Sequence, residues 1–397
     1  MHSYHLLHSL LHHRKHSPST LASLYVSYVV RTAIFSYLAI FLPIYYFMLA
    51  QKLELNMTQA WIVTLLFFTL LFFIKALGAY LAPKIAHRYS HKVALILSVA
   101  FLTVAVLMLS ISNQWLIILL ASITLGLQGG IWWVLYHLDF CLAGKKTEYG
   151  KEIGFRQALG ILSGVITPFL AGYTIAQYGY SALYFFTAFL ALILALVLYL
   201  LQNQYKIPKI RNHDLINEIK KNKRDFMAFI GIGGELSVSE VVWPILLYLV
   251  FQKPLIIGSI TALIALAAFL TSLVTGFMSD KWHKDKLEHY GVAIVSLSWL
   301  GKYLTQTTLG IVVFDIVYRI FNSLFYVPIV TFSYLRLLTE NRTAYITARQ
   351  MAYSLGRVIF LLIGVFLLLL GFSYWSLLIL GAISPLLTFA LQKTKAR

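Results

Sequence analysis

Apolar runs of about twenty residues recur along the whole chain, each closed by a short polar stretch. They predict helices over 21–49, 60–82, 93–111, 115–142, 153–176 and 182–201, and, after polar residues 202–225, over 226–251, 255–279, 290–304, 309–335, 344–370 and 375–391. The runs are too long and too uniformly apolar for barrel strands, and in hydrocarbon a helix satisfies its own backbone polar groups. The pattern predicts an all-α membrane protein with twelve transmembrane helices. Its expected divisions are a His-rich cytoplasmic segment (1–20), a six-helix bundle (21–201), a cytoplasmic linker (202–225), a second six-helix bundle (226–392) and a cytoplasmic tail (393–397).

Composition excludes a soluble fold, since 60% of the residues are hydrophobic, 12% are charged and mean hydropathy is +0.79. The formal charge of +18 would suggest nucleic acid in a soluble protein, but the positions of the basic residues assign it to topology instead. Arg14 and Lys15, Lys84, Arg88 and Lys92, Lys145, Lys146 and Lys151, the linker cluster, Lys281, Lys284 and Lys286, Arg336 and Arg342, and Lys393, Lys395 and Arg397 fall in alternate polar segments. Only Lys52 and Lys253 fall in the others, so both chain ends are expected in the cytoplasm. The first twenty residues carry no small-residue cleavage site, and the single cysteine, Cys141, can form no intrachain disulfide. The expected setting is the plasma membrane of a prokaryote, with the protein a monomer and nucleic acid not a partner.

An internal repeat supports two equivalent halves. PKIAHRYSHK starts at Pro83 and GFMSDKWHKD at Gly276, while Arg156-Gln157 and Arg349-Gln350 share the same offset of 193. That offset also sets Trp132-Trp133 against Phe325-Tyr326. A shifted offset aligns FLPIYYF at Phe41 with VWPILLY at Val242, putting a proline in the outer half of the first helix of each repeat. Two bundles related by a pseudo-twofold axis along the membrane normal, with a cavity between them, follow from such a duplication.

With these motifs in place, the sequence resembles the major facilitator superfamily, which carries Gly-x-Leu-Ala-Asp-Arg-x-Gly-Arg-Lys between helices two and three and a weaker copy between helices eight and nine. Here the second copy is the better one, with Gly276, Asp280, Lys281 and Lys284 matching in kind. The first has Pro83, His87 and Ser90 at the glycine, aspartate and second glycine positions, and keeps Arg88 and Lys92. The resemblance implies a cytoplasmic gate built from Arg88, Arg156, Gly276, Asp280, Lys281 and Arg349. Asp280 is expected to meet the start of helix five near Arg156, or Arg336; the bland alternative is a solvated loop carboxylate.

Intramembrane charge gathers on helices one, four, seven and ten, which in the resembled family line the central cavity. These charges are Arg31, His137 and Asp139, Glu235 and Glu240, and Asp315 and Arg319. Asp315, Arg319, Asn322 and Tyr326 fall on one face of helix ten, where the first two either neutralise each other or face the pathway. Trp133 and Tyr136 of helix four are candidates for the cavity wall or are simply packing. A carboxyl in low dielectric favours its protonated form, so Glu240, Glu235 and Asp315 are the coupling candidates; the alternative for a glutamate is a permanent pair with Arg31. Lys75, Lys302, Arg349 and Arg357 are weaker cavity candidates, since long basic side chains can snorkel.

The six histidines at His2, His5, His8, His12, His13 and His16 read as part of an amphipathic segment on the inner leaflet, or as a metal site through His8 and His12. No metal and no cofactor are expected. There is no HExxH, Walker loop, Gly-x-Ser-x-Gly or dinucleotide fingerprint, and an enzyme is not expected. The functional expectation is a secondary active transporter of a small solute, with protons as candidate coupling ion. The alternatives are a lipid or lipid-linked flippase, or a membrane enzyme acting on such lipids.

Overall fold

The computed structural model describes residues 18–111, 113–143, 149–201, 207, 209–279, 284–337 and 341–391. Among the described residues the chain is helical throughout, with no strand. The first span is broken. α1 (Pro18–Leu38) stops before α2 (Phe41–Gln51), because Pro43 has no N–H for the carbonyl of Ala39. Then come α3 (Met57–Arg88), α4 (His91–Ile111), α5 (Trp115–Ala143) and α6 (Tyr149–Leu201). Straight, α6 would be about 80 Å long, far more than a bilayer. Gly179, at φ 80° and ψ 177°, turns it instead into two spans.

The linker helix α7 (Asn212–Lys221) precedes α8 (Lys223–Ser237), a π-helical turn (Val238–Val242) and α9 (Trp243–Phe251). The turn has the same cause as the break in the first span. Pro244 cannot donate to the carbonyl of Glu240, and the Trp243 N–H reaches back to the Val238 carbonyl, one residue further than in an α-helix. The prolines aligned between FLPIYYF and VWPILLY therefore mark equivalent interruptions in spans one and seven.

α10 (Pro254–Ser279), α11 (Lys284–Thr305), α12 (Thr308–Arg336) and α13 (Arg342–Leu369) follow. The last span is a 3-10 turn (Tyr374–Ser376), α14 (Leu377–Ile383) and a 3-10 segment (Ser384–Ala390). By length and apolarity, eight helical stretches qualify outright as membrane spans, and the stretch Phe155–Leu200 holds two. α10 and the last span qualify as shorter apolar helices, and α11 falls below the mark because Lys284, Asp285, Lys286, Glu288 and Lys302 lower its hydropathy. The total is twelve, the arrangement that the hydrophobic pattern predicts.

Large apolar residues on the second half of α6, Phe185, Phe189, Leu192, Leu196 and Tyr199, are exposed on one face, as lipid-facing positions are. The halves meet where α3 packs on α13, α6 on α10, α2 on α9, and α5 and α6 on α13 and α12. The α6–α10 contact is backbone to backbone. A Cβ added at Gly258 would lie 2.3 Å from the Pro168 carbonyl oxygen, and one added at Gly172 would lie 2.5 Å from that of Pro254.

Candidate functional site

The π turn of span seven carries Glu240, and its carboxylate makes a fork with Arg357 of α13. Arg357 Nη2 donates to Oε1 at 2.9 Å and Nε to Oε2 at 3.0 Å. Glu240 keeps 43% of its side chain accessible, whereas Arg357 is 5% exposed. Lys75 of α3 and Arg31 of α1 also act on this carboxylate. The Arg357 guanidinium and the Lys75 ammonium flank one ring, at 5.1 and 5.7 Å from the centroid of Phe72. Arg31, only 3% exposed, is sheathed by aromatic faces, with its guanidinium carbon 4.0 Å from Phe35, 4.4 Å from Trp133 and 5.0 Å from Trp132. Its Nε has no hydrogen-bond partner.

A second cluster lies wholly within the second half. Glu235, 1% exposed, accepts hydrogen bonds from Tyr318 Oη (2.7 Å) and Trp299 Nε1 (3.2 Å). Lys302 Nζ lies 2.7 Å from Asp315 Oδ1 and within 4.6 Å of the ring centres of Trp243, Trp299 and Tyr318. Arg319 Nε stands further off, 3.8 Å from Asp315 Oδ2, and Asn322 donates to the Tyr318 hydroxyl at 3.2 Å. Two acids and two bases make this cluster neutral overall.

Among the described residues, contacts join the halves at both ends of the interior. On the side away from the linker, Trp61 of α3 stacks on Tyr374 at 5.7 Å across the halves, while Tyr45 of α2 packs against Tyr180 and Tyr184 within the first half. On the linker side Tyr334 of α12 is the hub. It hydrogen-bonds His137 Nδ1 and Arg156, packs on Phe140 at 5.6 Å and lies 5.3 Å from the Arg349 guanidinium. The repeat survives in detail here. Arg156 lies 5.2 Å from Phe140, while Arg349 donates to Ser333 Oγ at 2.5 Å, and both pairs share the offset of 193.

The linker joins this closure. The Asn212 side chain accepts from Tyr80 at 2.9 Å, His87 bonds the Ile207 carbonyl at 2.9 Å, and Glu218 accepts from the Asn341 N–H at 3.2 Å. At its edge Asp225 meets Arg336 at 3.2 Å and Tyr345 at 3.1 Å. On the exposed surface, the Arg211 guanidinium, 3.2 Å from Asp214, lowers that carboxyl below its ordinary range by hydrogen bonding.

The structure thus brings Arg31, Trp133, Tyr136 and Glu240 into one interior region. Tyr136 stacks between Tyr28 and Trp132, and Tyr326 is half-buried in the field of Arg156, Arg349 and Arg357. Glu235, Asp315, Arg319 and Asn322 belong to the second cluster. The partner of Glu240 is Arg357 rather than Arg31, and the nearer partner of Asp315 is Lys302 rather than Arg319. Those basic residues read as weaker candidates in sequence, because snorkelling and enclosure look alike until the neighbouring helix is placed. Of the gate residues, Arg156 and Arg349 are buried at the linker-side closure, while Arg88 is exposed at the end of α3 beside Tyr89. Gly276 lies on α10; Asp280 and Lys281, like the N-terminal histidines, lie outside the described residues. Tyr334 and Asp225 carry contacts that no sequence signal singled out.

A family model described as Major Facilitator Superfamily matches residues 24–253. No curated protein sequence matches the chain. Among solved structures, the human organic anion transporter MFSD10 (TETRAN) is similar with TM-score 0.69 and 12% identity, over 95% of this chain and all of that one. The E. coli fucose:proton symporter FucP follows with TM-score 0.67 and 12% identity, over 95% of this chain and 98% of that one. A D-xylose-proton symporter gives TM-score 0.67 and 14% identity, over 94% and 96%. A match over more than half of the sequence, on a fold of twelve spans in two repeats, identifies the chain as a member of the Major Facilitator Superfamily, a family of multi-pass membrane transporters.

Proposed function

We propose that the protein is a secondary active transporter that moves a small polar solute by alternating access, with the Glu240–Arg357 pair as its proton-coupling element. The observation that carries this reading is Glu240 itself, a carboxylate on an interrupted helix that keeps accessible surface and is forked to a guanidinium of another helix. Such a carboxylate has two arrangements, ionised and held by Arg357, or protonated and released from it. Because Glu240 and Arg357 lie on different spans, the exchange between them alters helix packing, as coupling requires. The proton symporters among the structural neighbours are consistent with this reading.

The bundles 21–201 and 226–392 are the moving units, the linker side faces the cytoplasm by virtue of its basic loops, and the contacts that join the halves at both ends correspond to an occluded intermediate. Charged groups enclosed between the halves favour a polar solute over a lipid substrate. The test is transport by the purified protein in proteoliposomes. Glu240→Gln is expected to abolish solute accumulation driven by a pH gradient while leaving solute exchange at equal pH largely intact. Undiminished gradient-driven accumulation in that variant would remove Glu240 from the coupling role.

A further inference from the structure

We infer that the transported solute is an anion whose carboxylate or phosphate is held by Arg31, Lys75 and Arg357; this deepens the transport reading and rests on it. The argument starts from charge. Arg31, Lys75 and Arg357 share one carboxylate, Glu240. Even with Lys75 set aside, two guanidiniums, which stay charged under all ordinary conditions, face a single acid. Arg357 takes that acid in a two-point fork and Arg31 is left with aromatic faces alone. Among the described residues no carboxylate lies within ion-pair distance of Arg31 or Lys75.

An uncompensated charge inside a membrane protein is costly and cation–π contact recovers only part of that cost, about 2 kcal/mol at most for a desolvated pair. A ligand oxyanion supplies what is missing. The Arg31 Nε is a buried donor without a partner, and both side-chain atoms of Gln128, 1% exposed and one turn before Trp132 on the same helix, are also without partners. The linker-side closure repeats the pattern. Arg156 and Arg349 are 2% and 1% exposed, keep unpartnered nitrogens and lie against tyrosine rings. The neutral Glu235–Lys302–Asp315–Arg319 cluster adds no compensating negative charge.

The inference is tested through the potential of the pathway, which does not require the solute to be known. With Cys141 replaced by Ser, Tyr326→Cys puts a thiol among Arg156, Arg349 and Arg357. Its labelling is timed in proteoliposomes with a negatively charged sulfonatoethyl and a positively charged trimethylammonioethyl methanethiosulfonate, each rate divided by that for a free thiol. The expected result is at least tenfold faster relative labelling by the anionic reagent, falling towards parity in Arg31→Gln and in Lys75→Gln, whose half-buried side chain makes it the milder change. Equal or faster labelling by the cationic reagent overturns the inference and leaves the transport reading standing. Failure of both reagents from both sides of the membrane removes the aqueous pathway and with it the transport reading. In a second arm, slower labelling in the presence of succinate or of inorganic phosphate identifies the class of oxyanion; slower labelling with sorbitol alone contradicts the inference.

Discussion

At the scale of single residues, two kinds of intramembrane charge coexist in this protein, a fully enclosed pair and a paired group that keeps accessible surface. Lys302 and Asp315 are fully enclosed, 2.7 Å apart, and roofed by indole and phenol rings. Such a pair holds packing together and tolerates no half-measure, since removing one partner strands the other charge at a cost of about 3–5 kcal/mol. Lys302→Met is therefore expected to lower the melting temperature in detergent markedly, and Lys302→Met combined with Asp315→Leu to recover most of the loss. A single variant that melts like the parent would mean that the pair does not stabilise the fold. Glu240 is the opposite case, an ion-paired group that keeps accessible surface. Sequence alone places Glu235, Glu240 and Asp315 equally on cavity-lining helices. It cannot separate them, because the distinguishing partners, Arg357 and Lys302, lie on other helices whose azimuth is set by tertiary packing.

At the scale of elements, the helix interruptions decide where charge can sit. Pro43 and Pro244 are visible as a repeated motif, and their effect follows from the missing N–H. Less visible is that span one resolves the lost bond by stopping and restarting, whereas span seven resolves it with a π turn that carries Glu240. Pro244→Ala restores the donor to the Glu240 carbonyl and should let the turn relax to an α-helix, shifting Glu240 around the helix axis. The expected outcome is a folded protein whose gradient-driven transport falls at least tenfold; transport equal to the parent would detach the turn from function. The α6–α10 contact gives a second prediction. A Cβ at Gly258 meets the Pro168 carbonyl oxygen at 2.3 Å, so Gly258→Ala must push the helices apart, at about 1–3 kcal/mol for overpacking, seen as a lowered melting temperature. An unchanged melting temperature would show that this interface yields freely.

At the scale of the whole molecule, the duplication legible in the offset of 193 becomes two six-helix halves with matched arginines, Arg156 and Arg349, at the linker-side closure. Spans and their number are written in hydropathy, because lipid imposes helix length on sequence. The closures are not, because Trp61 on Tyr374 and His137 on Tyr334 join positions nearly two hundred residues apart or more and leave no local pattern. Because separate sets of contacts join the halves at the two ends, the proposed rocking is expected to tighten one side as it opens the other. The most direct measurement is electron–electron distance spectroscopy on the reconstituted protein with two spin-label pairs, Leu53 with Phe372 on the side away from the linker and Tyr89 with Tyr290 on the linker side, all exposed positions. Alternating access predicts opposed changes as the pH gradient or solute is varied, the first distance lengthening where the second shortens; distances that stay fixed, or that lengthen together, would contradict it.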